Sequence, residues 1–252
     1  MTGGARGPRV LVVTAVAAER DAVSAGAPAL SAVAAGVGPA AAAATTAAEL
    51  TASRLSGEPY ALVVSAGIGG GFAPLAPVGS LVVATSLVAA DLGATTADGF
   101  SDVAALGFGT SVHRPPPALA SAVAKATGGL AAPVLTVSTV TGTAERAAEL
   151  TARHPGAAAE AMEGFGVAEA AARAGVPVLE LRTVSNPVGP RDRDAWRIPD
   201  ALRALTAAFA AAAPLLTDDA GRTGHAGQTG QTGQTGQTWT GHVNEPKDGA
   251  TP

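Results

Sequence analysis

Five short apolar runs, each rich in valine, restrict the fold of this chain more than any other feature. Apolar and polar residues do not alternate within them, which is typical of strands covered on both faces. We therefore predict a sheet buried between two other layers. The runs are RVLVVTAV (9–16), YALVVSAG (60–67), GSLVVATSLVA (79–89), PVLTVSTV (133–140) and PVLELRTVS (177–185).

Alanine-rich stretches separate or follow these runs and predict the covering helices. An alternation of strands with helices is typical of α/β domains. The runs at 60 and 79 are joined by a segment that contains Pro74 and Pro77 and no helical stretch, which favours a mixed sheet. The predicted fold is a three-layer α/β/α sandwich with a central mixed β-sheet. The helical stretches are about 38–55, 116–127, 143–153, 160–174 and 199–213.

The end of the chain has a different composition. Four consecutive GQT triplets occupy 227–238 within a polar, glycine-rich segment. Such a segment has too little apolar surface to fold. We predict one domain over 1–216 and a disordered low-complexity tail over 217–252.

Composition excludes several classes of function. The net charge is −4 with scattered acidic and basic residues, which argues against a nucleic-acid or membrane partner. The absence of cysteine excludes disulfides and thiolate chemistry. The four histidines lie far apart, so we predict neither a metal site nor a cofactor. Arg6 and Arg9 before VLVVTAVAA resemble a secretion signal, but we favour a first buried strand and a cytoplasmic protein.

The stretch EAMEGFGVAEAAARAGV (160–176) raises a question of its own. Its alanines favour a helix, yet Gly164 and Gly166 each cost about 1 kcal/mol in a helix. One interpretation is that Glu163 is a buried carboxylate satisfied by backbone donors. The other is that Glu163, at the mouth of the helix, accepts hydrogen bonds from a ligand, with the two glycines leaving room for its close approach.

Three further segments contain candidate site residues. SAGIGGGF (65–72) lacks the third glycine of a dinucleotide fingerprint, so we interpret it as a turn that exposes backbone N–H groups to a ligand or simply as a tight turn. TAVAAERDAV (14–23) holds Glu19, which is either functional or a solvated charge. RTVSNPVGPRDRDAW (182–196) places Asn186 at the carboxyl end of a strand, where open α/β sheets bind ligands, although Asn-Pro is also a common turn. His113, before RPPP, is interpreted as a loop residue.

In this chain order, the segments resemble the purine nucleoside phosphorylase and nucleosidase superfamily. The resemblance is carried by Glu19, GVGPAAAA (36–43), SAGIGGGF, the Met-Glu pair of AMEG and SNPVGPRDRDAW, and it covers roughly 9–213. It is closest to the nucleosidase branch, which includes methylthioadenosine/S-adenosylhomocysteine nucleosidase and futalosine hydrolase. The SNPVGPRDRDAW ending looks most like the futalosine hydrolases.

The resemblance implies a role for each candidate residue. Glu163 would bind the ribose 2′- and 3′-hydroxyls, Glu19 would orient the attacking water and Asn186 would meet the leaving purine. Asn186 replaces the aspartate of the methylthioadenosine branch, which favours hypoxanthine as the leaving group. We further expect substrate contacts from Gly67, Ile68, Gly69, Met162 and Phe165, and contacts to a benzoate-bearing 5′ chain from Arg191, Arg193 and Trp196.

The resemblance also implies a small nucleoside as substrate and a homodimer or larger homo-oligomer. Three alternatives to futalosine hydrolysis stay open at this point. Purine nucleoside phosphorolysis needs cations for phosphate, and Arg20 is the only candidate near the glycine-rich segment. Methylthioadenosine/S-adenosylhomocysteine hydrolysis would use the same ribose site. A catalytically silent nucleoside-binding module would need no Glu19.

Overall fold

The computed structural model of the chain describes residues 9–226. The GQT triplets and most of the predicted tail lie outside the described residues. Within the described part, ten strands and six α-helices alternate along much of the chain. The strands are β1 (Arg9–Thr14), β2 (Ser31–Ala34), β3 (Tyr60–Gly71), β4 (Leu81–Ala89), β5 (Gly93–Thr96), β6 (Gly99–Asp102), β7 (Val112–His113), β8 (Leu130–Thr136), β9 (Ala159–Ala161) and β10 (Val178–Pro187). The helices are α1 (Ala17–Gly26), α2 (Pro39–Leu55), α3 (Pro117–Thr127), α4 (Ala144–Arg153), α5 (Gly164–Arg173) and α6 (Ile198–Ala226).

The central sheet is mixed, as the sequence predicts. Strand β3 pairs in parallel with β1 and β10 and antiparallel with β9, and β10 pairs antiparallel with β4. Strands β4, β8 and β9 pair in parallel, and β2 extends the sheet beyond β1. Because β9 returns to β3, these strands close into a ring. Because β1 and β10 both pair in parallel with β3, the carboxyl ends of these three strands meet at one edge, where polar residues can gather.

Helices cover the sheet on both sides. Successive side chains of a strand point to opposite faces, and β1 shows this directly. Val10 and Val12 pack in the core beneath α1, α3 and α6. Leu11 and Val13 pack in the core beneath α2 and α5. These two cores confirm the three-layer sandwich. No helix in the described part of the chain is long and apolar enough to span a membrane.

The structure differs from the prediction in two segments and contains further elements that were not predicted. SAGIGGGF is not a turn, because β3 continues to Gly71 and pairs with β10 along this segment. The helix predicted from 160 begins at Gly164, since Ala159–Ala161 form the short strand β9. Helix α1, the strand β2 and the β5–β6 hairpin were not predicted. None of these elements falls within a valine-rich run or an alanine-rich stretch on which the prediction rests.

The last helix is longer than the predicted 199–213 stretch, and the boundary of the domain remains a prediction. Leu216 is completely buried in the core beneath α1, α3 and α6. We expect truncation after Thr217 to leave the melting temperature and activity unchanged. Truncation after Ala213 is the control, because loss of the buried Leu216 should lower the free energy of unfolding by about 1.5–3 kcal/mol. A loss of activity in the longer variant would show that the tail has a role.

Candidate active site

An open cleft with a cavity volume of about 200 Å³ lies at the carboxyl ends of β1, β3 and β10. Glu19, Glu163 and Asn186, which are far apart in the sequence, all line it. The lining residues are Ala15, Glu19, Ile68, Gly69, Gly70, Val140, Thr141, Glu160, Ala161, Met162, Glu163, Ser185, Asn186, Pro187, Val188, Gly189, Arg191 and Trp196.

Glu19 lies in the first turn of α1 and is only 3% exposed, so it is not a solvated charge. One carboxylate oxygen, Oε2, accepts hydrogen bonds from the N–H groups of Ala15 (3.0 Å) and Val16 (3.2 Å). The other oxygen accepts from the N–H of Ile68 (2.9 Å). Backbone donors from the turn before α1 and from β3 therefore fix this carboxylate at the edge of the cleft.

Glu163 is the residue that immediately precedes α5, and it is 4% exposed. Its Oε1 accepts from the Gly38 N–H (3.2 Å) and its Oε2 from the Met162 N–H (3.3 Å). Oε2 also lies 3.3 Å from Nη1 of Arg182. Glu163 is thus a buried carboxylate with backbone donors and, at the same time, a wall of the cleft.

The two glycines after Glu163 have a structural explanation. A Cβ at position 166 would overlap the backbone of Pro39, at the start of α2. A Cβ at position 164 would overlap the carboxylate of Glu180. The prediction that these glycines make room for a ligand is therefore wrong. The absence of a side chain at these two positions lets α5 pack closely against α2 and against Glu180 of β10.

The glycines of SAGIGGGF also meet protein atoms. A Cβ at Gly67 would lie 2.5 Å from Oε1 of Glu19 and 2.9 Å from Nη1 of Arg182. A Cβ at Gly69 would lie 2.7 Å from the carbonyl oxygen of Glu160. Gly69 and its neighbour Ile68 line the cleft, whereas Gly67 lies behind it. The segment is glycine-rich because charged groups and the neighbouring strand β9 pack directly against it.

Asn186 lies at the carboxyl end of β10 and is partly exposed to the cleft. Its side-chain oxygen accepts a hydrogen bond from the Ser185 hydroxyl (2.8 Å), and its amide nitrogen donates to the Pro187 carbonyl (3.0 Å). The amide retains one N–H and one oxygen lone pair for a ligand.

The loop after Asn186 forms another wall. The Arg191 guanidinium lies 5.3 Å from the centre of the Trp196 ring, and both residues line the cleft. The Arg197 N–H donates to the Ser185 carbonyl (2.8 Å), so the loop returns to the end of β10. Arg193 lies 6.0 Å from the same ring but is not a lining residue.

Phe165, His113 and Arg20, which the sequence analysis also singled out, lie outside the cleft lining. The Phe165 ring packs against the His113 ring at 5.1 Å. His113 belongs to β7 rather than to a loop, and its Nε2 lies 2.9 Å from Glu169. Arg20 pairs with Asp21 (2.7 Å) and its side chain is 41% exposed. The cleft therefore does not gain a cation from Arg20.

Sequence reasoning missed Glu160 and Thr141, which lie together in the cleft. Both carboxylate oxygens of Glu160 accept hydrogen bonds from Thr141, one from its N–H (2.8 Å) and one from its hydroxyl. Burial raises the pKa of the Glu160 carboxyl, while the Thr141 hydrogen bonds oppose this shift. The pair fixes the loop between β8 and α4 over the cleft. The only signal in the sequence was a second glutamate three residues before Glu163.

Sequence reasoning also missed the buried ion pair of Glu180 and Arg182, which lies beneath the cleft. Arg182 is 1% exposed and Glu180 is completely buried. Arg182 Nε lies 2.9 Å from Oε1 of Glu180. Two opposite charges at i and i+2 inside the apolar run VLELRTVS were the available signal, because buried charges are rarely unpaired.

Known proteins with similar sequences identify the family. The family model described as the phosphorylase superfamily matches residues 22–218. A futalosine hydrolase from Streptomyces coelicolor is 64% identical to this chain, over 82% of this chain and 96% of that protein. The chain belongs to the futalosine hydrolase family. A futalosine hydrolase from Acidothermus cellulolyticus is 50% identical over 60% of this chain and 64% of that protein.

A solved structure of another protein has a similar fold. The methylthioadenosine/S-adenosylhomocysteine nucleosidase of Colwellia psychrerythraea, solved in complex with adenine, has a TM-score of 0.67 at 19% identity. The match covers 84% of this chain and 96% of that chain, and it confirms the predicted fold. As a member of the futalosine hydrolase family, the protein is an N-glycosyl hydrolase of the nucleosidase type.

Proposed function

We propose that the protein hydrolyses the N-glycosidic bond of futalosine and releases hypoxanthine and dehypoxanthine futalosine. The observation that carries this proposal is the meeting of Glu19, Glu163 and Asn186 in one cleft. The two carboxylates can stabilise positive charge on a bound sugar, and the Asn186 amide can stabilise negative charge on a departing base. The names of the most similar relatives support futalosine as the substrate.

The carboxylates are assigned to the sugar. Breaking the glycosidic bond gives the ribose positive charge, which nearby carboxylates stabilise. Glu163 would accept hydrogen bonds from the 2′- and 3′-hydroxyls, with Met162 against the sugar. Glu19 would orient the attacking water, and its three backbone donors support this role because they hold the carboxylate in a single position. A binding module without catalysis would not need Glu19 in the cleft.

Asn186 is assigned to the base. Its remaining N–H can donate to the 6-oxo group of hypoxanthine, and its oxygen can accept from N7–H as the base departs. An aspartate would instead suit adenine, because it can protonate N7 and accept from the 6-amino group. Hypoxanthine is accordingly the proposed leaving group.

Water is favoured over phosphate as the nucleophile. Phosphate would need cationic partners near the glycine-rich strand, and Arg20 is directed to Asp21 instead. Among the described residues that line the cleft, the only arginine is Arg191, and it lies on the loop beyond Asn186. Phosphorolysis is the second candidate, since Arg182 lies just behind Glu163.

Arg191 is proposed to bind the benzoate of the futalosine 5′ chain. A benzoate can bind a guanidinium through its carboxylate and a flat apolar surface through its ring. Arg191 and Trp196 provide these two groups. We expect Arg191→Met to raise the KM for futalosine by about 10- to 150-fold, equivalent to 1.5–3 kcal/mol for a charge-assisted hydrogen bond. The KM for inosine, which lacks the carboxylate, should change little.

Arg193→Met is the matched control for this experiment. Arg193 belongs to the same loop and approaches the same Trp196 ring, but it does not line the cleft. Its replacement should therefore affect both substrates only slightly. Equal losses for futalosine and inosine in Arg191→Met would show that Arg191 supports the base end of the cleft instead.

The proposed substrate is tested by a panel of nucleosides. Specificity constants for futalosine, inosine and methylthioadenosine should be measured under the same conditions, with the released base identified. We expect futalosine to have the highest kcat/KM and hypoxanthine to be its product. A higher kcat/KM for methylthioadenosine would assign the protein to the other nucleosidase activity.

The wider setting follows from the same proposal. Dehypoxanthine futalosine belongs to the futalosine route to menaquinone, so we propose a role in that pathway. We also propose a cytoplasmic location and a homodimer or larger homo-oligomer, in which a neighbouring subunit would complete the 5′ side of the site.

A further inference from the structure

Glu180 is an ionisable group that the proposed mechanism does not use. It is completely buried, and it does not line the cleft. Its Oε1 accepts from Nε of Arg182, while its Oε2 has no hydrogen-bond partner among the described residues. A buried ion pair is rarely more stable than apolar residues of the same volume. The stability of the fold therefore gives no reason for a carboxylate here.

The partner of Glu180 connects it to the cleft. Arg182 donates through Nε to Glu180 and through Nη2 to the Ser65 hydroxyl (2.9 Å). These two contacts fix the plane of the guanidinium, and Nη1 is then directed to Oε2 of Glu163 at 3.3 Å. Nη1 also lies beside Gly67, next to the carboxylate of Glu19.

The charges around Arg182 are unequal. The ionisable groups that face it are Glu180 on its own strand, Glu163 before α5 and Glu19 on α1. Burial by itself lowers the pKa of Arg182, but these carboxylates outweigh it and raise the pKa. Burial raises the pKa of Glu180, which Arg182 opposes. One positively charged guanidinium therefore lies among three carboxylates. The cluster as a whole has a net negative charge beside the cleft.

The glycine at position 164 leaves space for the Glu180 side chain. Gly164 has no side chain to collide with the Glu180 carboxylate, and any other residue there would overlap it. The helix that begins beside Glu163 thus tolerates a glycine in its first turn so that the carboxylate can approach.

We propose that Glu180 is a positioning residue for the hydrolytic reaction, which it serves through Arg182. It orients Arg182 toward Glu163, and it offsets the positive charge of Arg182, which would otherwise neutralise Glu163. Glu163 then keeps the negative charge that stabilises the cationic sugar of the transition state. This inference rests on the proposed function, because it requires positive charge to develop on the sugar.

Glu180→Gln tests the proposal. The amide keeps the shape and an acceptor oxygen for Arg182 Nε but removes the charge. We expect kcat to fall 10- to 100-fold, the KM to change less than threefold and the melting temperature to stay within a few degrees. Glu145→Gln, which removes an exposed carboxylate, is the control and should match the wild type.

Glu180→Asp separates charge from shape. It keeps the carboxylate and shortens the side chain by one methylene, and we expect it to retain more of the wild-type kcat than Glu180→Gln. A wild-type kcat in Glu180→Gln, or a variant that does not fold, would overturn the proposal. Assays should use futalosine, and inosine in parallel. A wild-type enzyme inactive on both would contradict the proposed function instead.

Discussion

Glu163→Gln is expected to lower kcat by about 10² or more, equivalent to about 3 kcal/mol, while the fold stays intact. The carboxylate faces the cleft and is bonded on its protein side to Gly38, Met162 and Arg182. Its interaction with the ribose hydroxyls should strengthen as the sugar becomes cationic. A neutral amide of the same shape can bind the ground state but cannot stabilise that charge. Steady-state kinetics and the melting temperature are the two measurements.

Glu169→Gln is the matched control for this variant. Glu169 lies on α5, and it pairs with Arg173 at 2.7 Å and with His113 at 2.9 Å, away from the cleft lining. It should leave kcat unchanged. Activity of Glu163→Gln within a few-fold of the wild type would mean that Glu163 is only a buried structural carboxylate.

Asn186→Asp is expected to change which base is released. The ratio of kcat/KM for inosine to that for adenosine, which share the same sugar, should fall at least tenfold, about 1.4 kcal/mol. The aspartate can protonate N7 and accept from the 6-amino group of adenine, but it loses the N–H that donates to the 6-oxo group. Ser185 can still donate to either side chain, so the position of the group should be preserved.

The ratio is more informative than either rate, because general damage to the site would lower both rates together. An unchanged ratio would show that other residues read the base. Glu160 and Thr141 would then be the first candidates, since both line the cleft.

The fold could be predicted largely because its signals are local. Valine-rich runs and alanine-rich stretches specify buried strands and covering helices from neighbouring residues alone. The pairing of β3 with β10 is not local, so the closure of the sheet could not be predicted. SAGIGGGF was predicted to be a turn for the same reason, because the neighbours in space that require its glycines cannot be read from the sequence. Gly69 and Gly71 are instead required by close backbone contacts in an extended strand, with Glu160 and Ala76.

The residues of the candidate site also differ in how far the sequence predicts them. Glu19, Glu163 and Asn186 were candidates from their segments of the sequence, and the resemblance to a known family gave each a role. The structure brings them together in one cleft. Arg182 and Glu180 were missed, because a charged pair within an apolar run has no meaning until its neighbours in space are known. Gly164 illustrates the difference, since its absent side chain makes room for a carboxylate that lies 16 positions further along the chain.

Hydrolysis of futalosine by water is tested by identifying the products that form with and without phosphate. Purified full-length protein should be incubated with futalosine in phosphate-free buffer and in excess phosphate, and both products should be identified by mass. We expect hypoxanthine and dehypoxanthine futalosine to form at the same rate in both buffers. Turnover that requires phosphate and yields a sugar 1-phosphate would contradict it.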